Sequence, residues 1–155
     1  MGILVDTSVL GRLANRTDIL HAAAQAAVMR LHRRGEILHV TAQNLVEFRS
    51  FATRPIAVNG LGMTAAQASA VAAAFEATFP MLDETPAVYP AWRSLVERIG
   101  VVGKQVHDAR LVAVCQVHGV KGVLTFNVAH FARLASPETG IEVLDPLDVA
   151  RSDPR

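Results

Sequence analysis

Four short runs in the chain are almost wholly apolar: residues 2–5 (GILV), 37–41 (ILHVT), 122–125 (GVLT) and 141–144 (IEVL). Runs this brief, bounded by polar or turn-forming residues, predict strands. Between them, apolar positions recur at helical spacing or sit in helical composition, in SVLGRLAN, DILHAAAQAAVMRLHRRG, AQNLVEFRSFAT, TAAQASAVAAAFEATF, PAVYPAWRSLVERIG and VHDARLVAVCQVHG. Thr64 with Gln67 reads as a capping box, Thr85 precedes Pro86 at an expected first turn, and Gly35, Gly100 and Gly119 fall just past helix ends. Strands separated by helices require crossover connections, which predicts an α/β fold with a short, mainly parallel sheet and helices on both faces. Residues 54–62, RPIAVNGLG, are a loop-like break. No strand is expected between the two helices that follow, so roughly 64–100 is expected to form a helical hairpin projecting from the sheet.

Length and composition narrow the class. With 155 residues, 51% hydrophobic and 19% charged, the chain is expected to be one soluble domain, 1–155, with a core of its own. The single Cys115 excludes an intramolecular disulfide and any zinc site built on several cysteines. No basic segment precedes the first apolar run, and Asp6 stands where a myristoylation signal needs Ser or Thr, so a cytoplasmic protein is expected. The Ala-rich stretch 64–79 contains Gln67 and Glu76 and stops at Pro80, short of a membrane span; no membrane partner is expected. A net charge of +1 neither argues for nor excludes nucleic acid, because a basic face can coexist with an acidic pocket.

The first strand runs straight into an acid, Asp6, followed by Thr7 and Ser8. In a parallel α/β sheet, ligands bind beyond the carboxyl ends of strands, where helices also begin. Taken alone, any of these residues caps the next helix. Glu47, in QNLVEF, lies about one turn into the helix after the second strand, beside the stripe of Leu45, Phe48 and Ala52; alone, it is a surface glutamate. Asp108, in VHDARLVAVC, is in register with Leu111, Val112 and Cys115 and so shares their buried face. A helix N-terminus favours an acid there but does not explain why it points inward. GVLTFN brings Thr125 and Asn127 to the same edge, Asn127 doubling as an N-cap for VAHFARLA.

Three carboxylates meeting in a partly buried pocket repel one another; they take up protons at raised pKa or are neutralised by a divalent cation. Hard oxygen ligands without a Cys and His cluster favour Mg²⁺ or Mn²⁺ over Zn²⁺, and the natural chemistry of such an ion here is phosphodiester cleavage. Asp6, ending a rigid strand, and Asp108, beginning a helix, are the expected metal ligands. Glu47, on a longer side chain, is expected to bind through or orient water.

The segments LVDTSVL, NLVEF, HDARLVA and LTFNVAHF, in that order, resemble the PIN-domain ribonuclease family, and more closely the VapC-type toxins of bacterial and archaeal toxin–antitoxin pairs. The likeness spans nearly the whole chain. It implies a PIN-like three-layer sandwich, with the hairpin of roughly 64–100 as a clip-like insertion, a homodimer, and a groove that takes RNA or the cognate antitoxin. It implies Asp6, Glu47 and Asp108 as the catalytic, metal-binding acids and Thr7 or Ser8 as the hydroxyl after the first acid; Thr125 and Asn127, placed at the same edge by the strand end, are expected in support. Many family members carry a further Asp where this chain has Asn127, which offers a neutral oxygen and bears on a second metal rather than the first. Lys104, Arg49, Arg54 and Arg110 lie close in sequence to the acids or to the loop after Glu47 and are the expected phosphate contacts. Trp92 and Phe75 read as core or dimer packing rather than base-stacking platforms. His107, adjacent to Asp108, reads as a helix-start histidine, and the other five histidines show no ligand spacing.

Two functions follow. The first is a metal-dependent endoribonuclease acting as a toxin; the alternative is a catalytically weakened PIN-fold module that holds RNA or a partner protein, supported by Asn127. A small phosphatase or flavodoxin-like signalling domain shares the first acid but needs a glycine-rich phosphate cradle that the chain lacks.

Overall fold

Alternation within the first strand sets the layering. In β1 (Gly2–Val5), Ile3 and Val5 belong to one buried cluster and Leu4 to another, so both faces of the sheet are covered. The computed structural model describes residues 2–152; residues 1 and 153–155, the ends of the expected domain, lie outside them. The other strands are β2 (Ile37–Thr41), β3 (Met81–Leu82), β4 (Gly122–Leu124) and β5 (Glu142–Leu144). The helices are α1 (Thr7–Ala14), α2 (His21–Arg33), α3 (Ala42–Thr53), α4 (Ala65–Thr78), α5 (Val88–Ile99), α6 (Gln105–His118), α7 (Val128–Phe131) and α8 (Pro146–Arg151). The strands lie in the order β3-β2-β1-β4-β5, every pair parallel.

This order makes β1 a switch point. From β1 the chain steps outward through β2 to β3, then returns past β1 to β4 and β5. Crossovers between parallel strands are right-handed, so reversing the direction of travel moves the connecting helices to the opposite face. The side chains agree: Ala24, Phe48 and Phe75 from α2, α3 and α4 pack with Ile3 and Val5, whereas Leu95, Val112 and Phe131 from α5, α6 and α7 pack with Leu4.

The same rule corrects the expected hairpin. A strand does lie between α4 and α5: Met81 and Leu82 form β3, paired with Val40 and Thr41 of β2. α4 packs on α3, with Phe48 and Phe75 edge to face at 5.1 Å, while α5 packs on α6. The two helices therefore belong to different layers. The Thr64–Gln67 capping box and the left-handed Gly35, Gly100 and Gly119 stand as expected. α8 was not expected, although Asp145 caps it through the Leu147 N–H and Pro146 opens it.

Register brings the candidate residues to one edge. Val5 pairs with Leu124 and Leu4 with His39, so Asp6, Thr125 and Thr41 leave the sheet side by side. The Asp6 N–H donates to the Leu124 carbonyl at 3.0 Å, continuing the ladder one residue beyond β1. Thr41 caps α3 in a reciprocal box with Asn44, which fixes where the helix carrying Glu47 begins.

Candidate functional site

Asp6 occupies the N-cap position of α1, yet its side chain does not cap the helix. It accepts instead from Ser8 and Thr125, both hydroxyls donating to Oδ2 at 2.8 Å. The hydroxyls are themselves tied down: Ser8 Oγ accepts from the Phe126 N–H and Thr125 Oγ1 from the Asn127 N–H. One carboxylate, only 4% exposed, is thus held in a fixed orientation at the switch point.

Glu47 is held from both sides. Thr7 Oγ1 donates to its Oε2 at 2.7 Å, and Gln43, one helical turn earlier, donates to its Oε1 at 2.9 Å. Gln43 also donates to the His107 carbonyl and accepts from Arg110, so it ties α3 to the start of α6 next to Asp108. Both hydroxyls after Asp6 therefore work, Ser8 on Asp6 and Thr7 on Glu47.

Asp6, Glu47 and Asp108 line one cleft of about 410 Å³ with Thr7, Ser8 and Asn127. Burial is the main force on Asp6, pushing its carboxyl above the usual range against the donation from Thr125 and Ser8, with the charge of Glu47 adding to the rise. Asp108 is pushed up to about 6, first by burial and next by Asp6; Glu47 adds to this, and His130 and His107 oppose it. The three acids thus feel one another. Among the described residues, no group of three His, Cys, Asp or Glu side chains is drawn together closely enough to hold a metal as it stands. Asn127 holds the N-cap position of α7 without a side-chain cap bond and presents a neutral group to the cleft.

The cations divide differently from expectation. Of Lys104, Arg49 and Arg110, Lys104 alone lines the acid cleft. Arg49 donates to Ser69 on α4, and Arg110 is ion-paired with Glu84 while donating to Gln43. Arg54 does line the cleft, its guanidinium 5.8 Å from the Phe51 ring centroid, and so does Arg12, which the sequence reading missed. Arg12 lies 5.4 Å from the Phe126 ring centroid and 3.6 Å from Asp18. Its spacing of one turn from Ser8, and that of Gln43 from Glu47, were the available signals.

The PIN-domain family model matches residues 3–137. No curated protein matches the chain. Among solved structures, a chain of VapBC2 from Rickettsia felis, crystallised with a DNA fragment from its promoter, is 14% identical and superposes with a TM-score of 0.69 over 94% of this chain and 100% of that one. VapBC-1 from nontypeable Haemophilus influenzae is 14% identical, with a TM-score of 0.66 over 94% and 98%. VapC20 from Mycobacterium tuberculosis, a sarcin–ricin-loop-cleaving toxin, is 22% identical, with a TM-score of 0.61 over 84% and 93%. At these identities the likeness is one of fold.

Proposed function

This chain belongs to the PIN-domain family, and from that premise we propose that it is a divalent-metal-dependent endoribonuclease, the toxin of a toxin–antitoxin pair. The observation that carries this is the meeting of Asp6, Glu47 and Asp108 in one cleft that also holds Arg12, Arg54 and Lys104. The toxin–antitoxin assignment is supported by neighbours that are VapBC complexes, and the choice of RNA by the cleavage named for VapC20.

The residues fit Mg²⁺ or Mn²⁺. The donors are hard carboxylate oxygens, and burial and mutual repulsion hold two of the acids at raised pKa, a tension that a divalent cation relieves. Asp6 and Asp108 would be its ligands, with Asn127 able to lend a neutral oxygen. Such an ion supplies an acidified water and charge stabilisation at phosphate oxygens. The chain supplies the rest. Ser8 and Thr125 hold the Asp6 carboxylate in one orientation, while Thr7 and Gln43 occupy one oxygen each of Glu47, which suits it to orienting water rather than gripping a cation. Lys104, Arg12 and Arg54 would balance the phosphates on either side of the scissile bond. We assign RNA and a cognate antitoxin as partners, place the protein in the cytoplasm, and expect a homodimer through the alanines exposed on α4.

The test is a mixed RNA pool incubated with the protein in Mg²⁺ or Mn²⁺ and again in excess chelator. Cleavage confined to the metal-containing arms supports the ribonuclease; RNA retained but uncut in every arm supports the non-cleaving module, for which Asn127 in place of a further acid is the favouring observation.

A further inference from the structure

Beside the acid cleft lies a second concavity of about 390 Å³, lined by Tyr89 and Trp92 of α5 and by Val106, His107 and Arg110 of α6. The two meet around the start of α6, where Lys104 and Asp108 line the acid cleft while Val106, His107 and Arg110 line the second. Tyr89 is 63% exposed, and its ring centroid lies 5.7 Å from that of Trp92, the planes tilted by 32°. Trp92 packs against the core of its layer, and its Nε1 donates to the Val106 carbonyl at 2.8 Å, so the indole is fixed before any ligand arrives. Arg110 is neutralised by Glu84 at this site.

We propose that Tyr89 and Trp92 form a stacking subsite for a nucleobase of single-stranded RNA, adjacent to the phosphodiester bound in the acid cleft; this rests on the ribonuclease reading above and replaces, for Trp92, the packing role read from its helical position, because the indole is only partly buried and lines the concavity. Aromatic faces held rigidly are what unpaired bases stack on, and stacking tolerates any base because every base has a π-face. The charges sort the ligand: with Arg110 paired to Glu84 the shelf offers no free cation for a phosphate, whereas Arg12, Arg54 and Lys104 stand in the neighbouring cleft. His107 and Asp108 are consecutive residues, so a base on the shelf and a phosphate in the cleft can belong to adjoining nucleotides. A lining of five residues suits a planar ring, while a stable protein partner commonly buries about 800 Å² per side.

Trp92 is the chain's one tryptophan, so its emission reports on the shelf directly. The metal-free full-length protein is titrated with a short labelled single-stranded RNA and with an abasic ribose-phosphate oligomer of equal length, following label anisotropy and Trp92 emission together. Quenching that saturates with RNA binding and is absent with the abasic oligomer is expected. Tyr89→Ala should weaken RNA binding by about tenfold, the scale of one stacked base. It should leave the weaker abasic binding unchanged, and Tyr89→Phe should bind RNA like the wild type. RNA bound with Trp92 emission unaltered, or equal losses for both oligomers, overturns the subsite and leaves the ribonuclease reading standing. Sedimentation showing that Tyr89→Ala dissociates a dimer assigns the shelf to a second copy and also overturns it. Absence of both RNA binding and metal-dependent cleavage removes the ribonuclease reading, and the subsite with it.

Discussion

Asp108 carries the clearest electrostatic consequence of any single residue. Its carboxyl is raised from 3.8 to about 6, chiefly by burial and then by Asp6. The folded state therefore binds this proton more tightly than the unfolded chain does, and stability is lost as pH rises through the interval between the two values. A rise of that size corresponds to about 3 kcal/mol, and the half-open setting of the side chain reduces this to roughly 1–2 kcal/mol. Metal-free Asp108→Asn should thus exceed the wild type in stability by about that amount at pH 7, with the gap closing below about pH 4. Urea unfolding of both proteins across pH 4–7 checks this, and a gap independent of pH would contradict it. The spacing arguments reached Asp6, Glu47 and Asp108, because strand ends and helix starts place residues at a sheet edge whatever their partners. Gln43 and Arg12 were not legible in that way. Their roles arise from contacts across elements, Gln43 reaching His107 and Arg12 meeting Phe126.

At the scale of elements, the segment after α3 decides how Arg54 is presented. The loop folds back on the end of that helix: the Gly62 N–H donates to the Arg54 carbonyl at 2.8 Å, and the Met63 N–H to Ala52 at 2.9 Å. Gly60 lies against Arg54 so closely that a Cβ there would stand 2.0 Å from the Arg54 carbonyl oxygen. Backbone cannot yield as a flexible side chain can, so Gly60→Ala should lower unfolding free energy by about 1–3 kcal/mol and move Arg54 from the cleft. A denaturation midpoint equal to the wild type's would show that the loop repacks freely. The element that the sequence did not reveal is β3. Two residues carry no period, and Met81 and Leu82 are a strand only because β2 offers them a partner. Without that strand, the right-handed crossover rule had nothing to act on, and α4 and α5 read as a hairpin instead of members of opposite layers.

For the whole molecule, the parallel order β3-β2-β1-β4-β5 explains why one edge gathers the candidate residues: the direction of winding reverses at β1, and Asp6 follows it directly. An ion held there binds only the folded chain, so Mg²⁺ or Mn²⁺ at a hundred times its dissociation constant should add about 2.7 kcal/mol to stability. For a domain of this size that is a rise in Tm of roughly 5–10 °C, readable by calorimetry. Asp6→Asn should abolish the rise, and an equal rise in the variant would place the ion elsewhere. Assembly is read from α4, where Ala68, Ala72 and Phe75 face the core and alanines at 65, 66, 70, 73, 74 and 77 face outward. Sedimentation at micromolar concentration should find a homodimer, and monomer alone would count against that face as an interface. The central claim is that the acid cleft cleaves RNA, and single-turnover cleavage of one RNA by wild type and Asp108→Asn, in the same Mg²⁺ or Mn²⁺ buffer, tests it most directly. Removing a ligand charge without altering side-chain volume should keep the fold and lower the rate by about 10² or more; equal rates in the two proteins would contradict the assignment of this cleft as the catalyst.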